Sequence, residues 1–389
     1  MRTRIAGADG SVEVLSEPRE RLQVALDKTF GLTHRVELVA GPNGLLRVTR
    51  GSALPSEIPA FSGLREAYVT FTGDTDVLKL KESRLSQTFS TFSFPNALAN
   101  TMNGLLAKGY GEVDYRWRDI VTTVTSPSNF KTLERSRVRF VGDLEELAED
   151  QPYEEVSDHG DEKFTYAVAT RGKLLTITRR ANLADNVQGI ERSIEQLARA
   201  AARTLAKRVW DKVISNQAYG VDSLPVFHTD HGNLGAAALS VASLNAARLA
   251  LFAQTEPGSD ERLGLSGPFL LAVPIELEAT AREIKCEHIP GSLTYEGNAW
   301  YQRFGAVGER IFANPLFSDA GDWYLFDISR KVGILEVGFL MGRQMPELFV
   351  ADDPRADSAF SQDRVVYKMR HEYEAAIEDY RGSYKAVAA

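Results

Sequence analysis

The feature that most constrains this chain is an apolar repeat at helical spacing between residues 190 and 215. Its members lie three or four residues apart, which places them on one face of a single helix. They are Ile194, Leu197, Ala198, Ala201, Leu205, Val209 and Val213. Such a helix is ~35 to 40 Å long, far longer than the ~three turns of an average helix. We therefore expect a spine helix that carries other elements.

Residues after the spine helix combine helical and strand patterns. Apolar spacing predicts helices at residues 240–254 and 275–285. Short apolar runs predict strands at residues 269–273, 310–313, 323–328, 334–340, 348–350 and 364–373. The aromatic run from Trp323 to Phe326 could form a ligand platform, but a strand covered on both faces is the favoured interpretation. Because strands cluster late and do not alternate strictly with helices, the predicted class is α+β.

A strongly acidic stretch separates two strand-like arms before the spine helix. The arms are residues 130–140 and 163–179, and they contain several Lys and Arg residues. Between residues 143 and 162 the chain has ten acidic residues and no Lys or Arg. This pattern predicts a long hairpin with basic arms and an acidic tip.

The first 90 residues are rich in turn-forming Gly and Pro, which predicts an extended or loosely folded segment. Only residues 19–30 have the apolar spacing of a short amphipathic helix. A further helix is expected to follow Pro95, with Leu98, Met102 and Leu105 on its apolar side and an end at residues 109–111.

Composition narrows the class of protein. The 389 residues are 43% hydrophobic and 25% charged, which is ordinary for a globular chain of two or three domain-sized units. The sequence lacks the apolar run of a membrane span or secretory signal, so a soluble cytosolic protein is expected. A net charge of -8 argues against general nucleic-acid binding, and the single Cys286 forms no intrachain disulfide.

The residues best suited by type to a catalytic or metal site are His228, Asp230 and His231, which could in principle ligate a metal. The cluster lies between Pro225 and Gly232 in a predicted loop and lacks the spacing that places two ligands on one helix face. Structural hydrogen bonding by His231 and Asn233 is therefore the favoured interpretation.

Other catalytic signals are weak. The acidic pairs Asp74 with Asp76 and Asp352 with Asp353 adjoin Gly or Pro, as solvated turn residues commonly do. The sequence has no nucleophile elbow, phosphate loop or dinucleotide glycine pattern. We expect no enzymatic activity, no catalytic residue, no cofactor and no metal.

The spine helix has a basic side that could meet nucleic acid or, as we favour, solvent or another protein surface. Its members are Arg192, Arg199, Arg203, Lys207, Arg208 and Lys212.

From about residue 90 onward, ordered strings resemble the major capsid proteins of tailed bacteriophages, of the type often encoded as a fusion with a prohead protease and related to the head subunits of Mu-like phages. The strings include Ser93-Phe94-Pro95-Asn96, Val226-Phe227-His228, His231-Gly232-Asn233-Leu234, Ala272-Val273-Pro274, Asn314-Pro315-Leu316, Met345-Pro346-Glu347-Leu348 and Arg370-His371-Glu372-Tyr373. Their order over roughly 300 residues is more specific than any one string.

The resemblance implies the Hong Kong 97 capsid fold. It divides the chain into an N-terminal extension that is either scaffold-like or an arm (1–90), an arm with a helix (91–129), a hairpin called the E-loop (130–180), a peripheral domain with the spine helix (181–216), an axial domain (217–345) and C-terminal peripheral strands (346–389). Whether the extension is retained or is cleaved later is open from the sequence. About 90 residues precede the recognisable region, too few for a protease domain, so self-cleavage is not expected.

The implied function is self-assembly into pentamers and hexamers of an icosahedral virion shell in the host cytoplasm. The shell would enclose double-stranded DNA without sequence-specific binding and would meet a portal protein, with scaffold, maturation protease and decoration protein as further candidate partners. We expect intersubunit contacts at acidic Glu145, Glu146, Glu149, Glu154 and Glu155 and at basic Arg135, Arg137, Arg139, Arg199, Arg203 and Arg208. Exposed ion pairs of this kind contribute only ~0 to 1 kcal/mol each and allow error correction.

Two alternatives remain open from the sequence. An encapsulin-type nanocompartment has the same fold around protein cargo, and a metal-dependent hydrolase would use the histidine cluster.

Overall fold

The structure is a computed structural model of the protein, and it describes residues 3–6, 12–15, 18–72, 94–137, 162–178, 187–220, 222–257, 261–284, 310–351 and 364–388. The chain forms two compact units. The first unit comprises Met1–Asp114, Thr170–Thr204 and Arg343–Glu372, and the second comprises Tyr115–Ala169, Leu205–Gly342 and Tyr373–Ala389.

Helices and strands are both well represented, so the predicted α+β class is confirmed. The described helices are α1 (Pro18–Thr29), α2 (Leu64–Thr72), α3 (Phe94–Gly111), α4 (Trp117–Ile120), α5 (Val187–Ile214), α6 (Val241–Phe252) and α7 (Glu278–Ile284), with 3-10 turns at Ile275–Leu277 and Leu340–Gly342. The described strands are β1 (Thr3–Ala6), β2 (Val12–Leu15), β3 (His34–Ala40), β4 (Leu46–Ala53), β5 (Val121–Thr125), β6 (Leu133–Arg137), β7 (Glu162–Tyr166), β8 (Ala169–Thr178), β9 (Leu234–Gly235), β10 (Phe269–Val273), β11 (Arg310–Ala313), β12 (Trp323–Asp327), β13 (Leu335–Phe339), β14 (Glu347–Ala351), β15 (Arg364–Ile377) and β16 (Ser383–Ala386).

The predicted spine helix is present as α5, whose 28 residues span nearly the predicted range. Its apolar repeat is buried as the spacing requires: Ile194, Ala198, Leu205 and Val209 are each 0% exposed. Residues up to Thr204 belong to the first unit and residues from Leu205 belong to the second.

In the first unit, α3 is the element against which the N-terminal segment packs. Helix α1, helix α2 and the β3–β4 hairpin all contact α3. Strand β14 pairs antiparallel with the first half of β15, from Glu347 opposite Arg370 to Ala351 opposite Val366. Strand β8 pairs with β15 as well.

The expectation that the first 90 residues are loosely folded is wrong for residues 18–63, although the helix predicted there is present as α1. The turn formers at residues 41–44 close an antiparallel hairpin instead of marking an irregular segment. Gly44 has φ of 75°, a left-handed conformation that glycine adopts readily, and the Gly44 amide donates to the Gly41 carbonyl oxygen at 3.0 Å. Closely spaced turn residues indicate short connections as readily as disorder.

The second unit is built around a five-stranded mixed sheet in the order β11, β10, β12, β16, β9. Strands β10 and β12 are buried at every position, so the strand-core interpretation of the aromatic run is confirmed. Helices α6 and α7 bury Leu244, Leu251 and Ala281 in the same apolar cluster as Trp323 and Leu325. Helix α6 begins with a capping box, in which the Ser240 side chain accepts from the Ser243 amide.

A second sheet region of this unit joins β13 to the latter half of β15 in antiparallel pairing and to β5 in parallel pairing. Trp210, on the part of α5 in this unit, is fully buried. Its ring centroid lies 5.6 to 5.9 Å from the ring centroids of Phe312, Phe317 and Phe326. Its indole nitrogen donates to the Tyr115 carbonyl oxygen at 2.9 Å.

Most predicted elements after residue 230 are present with small shifts of their ends. The arm predicted at 163–179 is two strands, because β7 pairs with β6 whereas β8 pairs with β15. Strands β9 and β16 were not predicted, since each is only two to four residues long and pairs with a distant segment.

Candidate assembly surfaces

The β6–β7 hairpin lies in the second unit and is the described part of the predicted hairpin. Its register runs from Leu133 opposite Tyr166 to Arg137 opposite Glu162. The antiparallel pairing of the two predicted arms is thus confirmed over these ten residues. The connecting stretch, with Glu145, Glu146, Glu149, Glu154 and Glu155, lies outside the described residues, as does Arg139.

A cluster of hydrogen bonds, which we call the root cluster, fixes this hairpin to strands β5 and β13. It comprises Thr125, Arg135, Tyr166 and Glu336. The Tyr166 hydroxyl donates to Glu336 Oε1 at 2.5 Å and lies 2.6 Å from Thr125 Oγ1, while Arg135 Nε donates to Glu336 Oε2 at 3.1 Å. Glu336 is only 1% exposed, so its charge needs these donors. Burial, followed by the hydrogen bond to Glu336, raises the pKa of Tyr166, which keeps its hydroxyl a donor.

A second group holds the first residue of β7. Arg381 donates from both terminal nitrogens to the two oxygens of Glu162, each at 3.0 Å, and also bonds Asp379 at 3.1 Å. The Tyr219 hydroxyl donates to Glu162 at 3.2 Å. Arg381 and Glu162 are 6% and 9% exposed. Because a buried charge that loses its partner is costly, this bidentate pair holds the first residue of β7 in place within the second unit.

The basic side of α5 is partly neutralised within the chain. Arg199 pairs with Glu112 at 2.6 Å and with Glu195 at 3.3 Å, all in the first unit. Arg208 pairs with Glu374 at 2.6 Å and with Asp211 at 3.2 Å, all in the second unit. Arg203 is exposed, and among the described residues it has no ion-pair partner.

The predicted contact residues therefore fall into different settings. Arg135 is part of the root cluster, a role that its position in a basic arm did not indicate. Arg137 is on β6 opposite Glu162. Arg199 and Arg208 have partners inside the chain, whereas Arg203 is exposed and has no ion-pair partner among the described residues. No local sequence signal could have identified Glu336 or Arg381, which lie 201 and 219 residues from their partners.

The histidine cluster serves hydrogen bonding, as predicted. The two ring nitrogens of His231 lie 3.1 Å from the Val226 carbonyl oxygen and 2.8 Å from Asp222 Oδ2. Asn233 donates to the same Val226 oxygen at 2.9 Å and accepts from the His228 amide at 3.1 Å. In the part of the chain that the structure describes, no group of three or more His, Cys, Asp and Glu side chains is arranged to hold a metal ion.

The acidic pairs Asp74 with Asp76 and Asp352 with Asp353 lie outside the described residues. Among the helices that the structure describes, none is long and apolar enough to cross a membrane.

A model of the family described as phage capsid protein matches residues 161–386, which is more than half of the chain. The chain belongs to this phage capsid protein family. The resemblance drawn from the ordered sequence strings is confirmed, and with it the expectation of a major capsid protein, a structural component of the virion shell. The match includes β7, α5 and residues 217–345, for which the resemblance predicts an axial domain, and it does not favour the encapsulin-type alternative.

Several solved structures are similar to this capsid protein. A virus-like particle from Pyrococcus furiosus has 11% sequence identity and a TM-score of 0.45, over 74% of this chain and 99% of that chain. The capsid of a native GTA particle has 13% identity and a TM-score of 0.45, over 71% and 90%. The procapsid of bacteriophage JBD30 has 12% identity and a TM-score of 0.39, over 75% of each chain. Comparison with curated proteins gives no match.

Proposed function

We propose that this capsid protein assembles into pentamers and hexamers of an icosahedral shell around double-stranded DNA, and that the β6–β7 hairpin reaches a neighbouring subunit. The observation that carries the proposal is the fixation of the hairpin by two separate buried groups, the root cluster and the Glu162–Arg381 pair. A two-stranded hairpin is marginally stable by itself, so an anchored root gives a defined direction to a segment with little core of its own.

The acidic stretch between β6 and β7 provides the negative charges for the proposed contact with a neighbouring subunit. Its carboxylates are complementary to a basic surface, and Arg203 is exposed on α5 without a partner among the described residues. We propose that the acidic stretch of one subunit pairs with Arg203 of the next. Exposed ion pairs set register and contribute ~0 to 1 kcal/mol each, which keeps assembly reversible.

The proposed shell also needs partner proteins and a compartment in which it assembles. A closed shell that takes up DNA needs an entry vertex, so a portal protein is the expected partner, with scaffold, maturation protease and decoration protein as further partners. Assembly in the host cytoplasm is part of the same proposal, and so is the absence of enzymatic activity. A net charge of -8 suits a container, because a strongly cationic lumen would hold phosphates wherever they touched it.

Negative-stain electron microscopy with size-exclusion chromatography of the chain expressed alone tests the shell. Closed particles or rings of five or six subunits are the expected result, and a monomer at every concentration and with every candidate partner would contradict it.

Charge reversal tests the contact. Arg203→Glu is expected to impair assembly, as is a triple Glu→Lys reversal at Glu145, Glu146 and Glu149, whereas a single chain that carries both reversals is expected to assemble. Arg282→Glu is a matched control, since Arg282 is 69% exposed on α7. Normal shells from Arg203→Glu alone would refute the pairing.

A further inference from the structure

The N-terminal lobe, which we define as residues 18–63, is folded onto itself. Lys28 Nζ, at the end of α1, donates to the Pro55 carbonyl oxygen and to the Ile58 carbonyl oxygen, the latter at 2.7 Å. The Thr29 hydroxyl oxygen accepts from the Phe61 amide at 2.9 Å. These bonds hold the segment after β4 against α1, so the lobe has internal structure beyond its single predicted helix.

The lobe and α3 bury a common apolar interface within the first unit. Leu26, Phe30 and Leu45 of the lobe are at most 1% exposed, and so are Met102 and Leu105 of α3. Helix α1 and strand β4 both contact α3. A Cβ atom added to Gly104 would lie 3.1 Å from Leu32 Cδ1, which shows how closely the two surfaces approach. Without the lobe, this face of α3 would be exposed to water.

Polar contacts cross the same interface. The Thr101 hydroxyl, on the buried side of α3, donates to Asp27 Oδ1 at 2.6 Å. Gln23 donates to Thr101 Oγ1 at 2.9 Å and to the Ala97 carbonyl oxygen at 3.2 Å. Buried hydrogen bonds need specific geometry, so they fix one arrangement of α1 on α3 where apolar packing alone would allow several.

Two more segments of the first unit contact the lobe. The Gln344 side chain accepts from the Leu46 amide at 2.7 Å and donates to the Gly44 carbonyl oxygen at 2.8 Å, which fixes the β3–β4 turn. At the other end, Gly31 has φ of 70°, and the Glu191 carboxylate of α5 occupies the space that a side chain would need. Contacts with residues near 100, 191 and 344 make the lobe continuous with the core of this unit.

We propose that the N-terminal lobe is a permanent part of the subunit that the finished shell retains, and not a removable assembly aid. The proposal rests on the shell function above. Proteolysis during maturation then removes nothing between residues 18 and 63. A cut in the connection between α2 and α3 leaves the lobe bound, because its contacts with α3 and Gln344 are non-covalent and independent of that connection.

Intact-mass measurement of the subunit, taken from particles produced together with the other virion genes, tests retention directly. The expected mass corresponds to a chain that begins at or before residue 18, and a mature subunit that begins after residue 63 would overturn the proposal. No variant is needed, so misfolding cannot confuse the outcome.

Limited proteolysis followed by size-exclusion chromatography tests binding, both on shells and on unassembled chains. An N-terminal fragment that ends between residues 73 and 93 is expected to elute together with the rest of the chain, and its elution as a separate, smaller species would overturn the proposal. Leu26→Asp, at a position 0% exposed, is expected to release the fragment, whereas Leu38→Asp, at 49% exposed in the same lobe, is expected to retain it. Because unassembled chains are included, a failure of shell formation is distinguishable from a failure of lobe binding.

Discussion

His371 offers a measurable link between pH and the stability of the first unit. The ring is 4% exposed, and its Nε2 donates to the Gln344 carbonyl oxygen at 3.1 Å. Tyr110 packs edge-on at 5.9 Å between ring centroids. Burial lowers the pKa of His371 from 6.5 to about 4, and the nearby Arg171 guanidinium acts in the same direction. The Gln344 carbonyl and Glu347 oppose this shift, but burial dominates.

Acidification destabilises the folded chain at this position, because the unfolded chain binds the proton at a higher pH than the folded chain does. Between pH 6.5 and about 4 the unfolded chain holds a charged imidazolium at this position while the folded chain holds a neutral ring. The free energy of unfolding therefore falls as pH decreases through this window. A depression from 6.5 to about 4 lowers stability by roughly 2 kcal/mol between about pH 7.5 and about pH 5.

The variant His371→Gln removes the titrating group and keeps an N–H donor for the Gln344 carbonyl. Urea unfolding of the unassembled chain, followed by tryptophan fluorescence at both pH values, gives four free energies of unfolding. Their double difference cancels all other titrating groups and isolates His371. We expect the variant to lose roughly 2 kcal/mol less than the natural chain on acidification. His34→Gln, which removes an imidazole bonded to Thr33 at the surface, is the control. An equal acid loss in the natural chain and in His371→Gln would refute the reasoning.

Three further predictions use the same unfolding assay. Glu162→Gln removes the bidentate carboxylate partner of the buried Arg381, which keeps only its single bond to Asp379, and is expected to cost about 3 kcal/mol. Glu278→Gln, in a surface pair with the 69% exposed Arg282, is expected to cost at most about 0.5 kcal/mol, and similar losses from the two variants would contradict the buried-pair argument. Trp210→Ala removes the ring that contacts Phe312, Phe317 and Phe326 and is expected to cost about 3 to 5 kcal/mol, so a loss under about 1 kcal/mol would show that the site does not hold the core together. Gly31→Ala is expected to destabilise more than Gly44→Ala, because both have positive φ but only Gly31 faces a nearby side chain; equal losses would mean that backbone strain alone matters.

Sequence periodicity predicted the elements whose own residues carry the burial pattern. The spine helix α5 repeats its apolar face over 28 residues, and β10 and β12 are continuous apolar runs, so a local window contains the signal. The interpretation of His231 and Asn233 also succeeded, because loop context and close spacing are local information.

The structural role of Arg135 and the fold of the N-terminal lobe could not be predicted in the same way. Arg135 belongs to a charged arm by its neighbours in sequence, yet its partner Glu336 lies 201 residues away. Turn residues in the lobe signalled breaks in the chain without indicating that α3 would cover the short elements between them. The strand β16 pairs with β12 and β9 over two to four residues, too few for a periodic pattern. These features depend on long-range partners, which single-sequence patterns do not encode.

The buried ion pair at the base of the hairpin is much stronger than any exposed ion pair that the acidic stretch can form. This difference matters for how a shell subunit can leave a wrongly formed contact during assembly. Breaking the Glu162–Arg381 pair, in which both side chains are buried, costs several kcal/mol, so we expect the base of the hairpin to stay formed while the proposed contacts with neighbouring subunits form and break. Exposed ion pairs are screened by salt and contribute ~0 to 1 kcal/mol each, so a wrongly placed neighbour can leave. A contact built from many weak pairs on a fixed root combines reversible pairing with a defined direction. Because only the exposed pairs are screened, raised salt is expected to slow assembly without unfolding the subunit. Assembly and unfolding that respond equally to salt would argue against this reasoning.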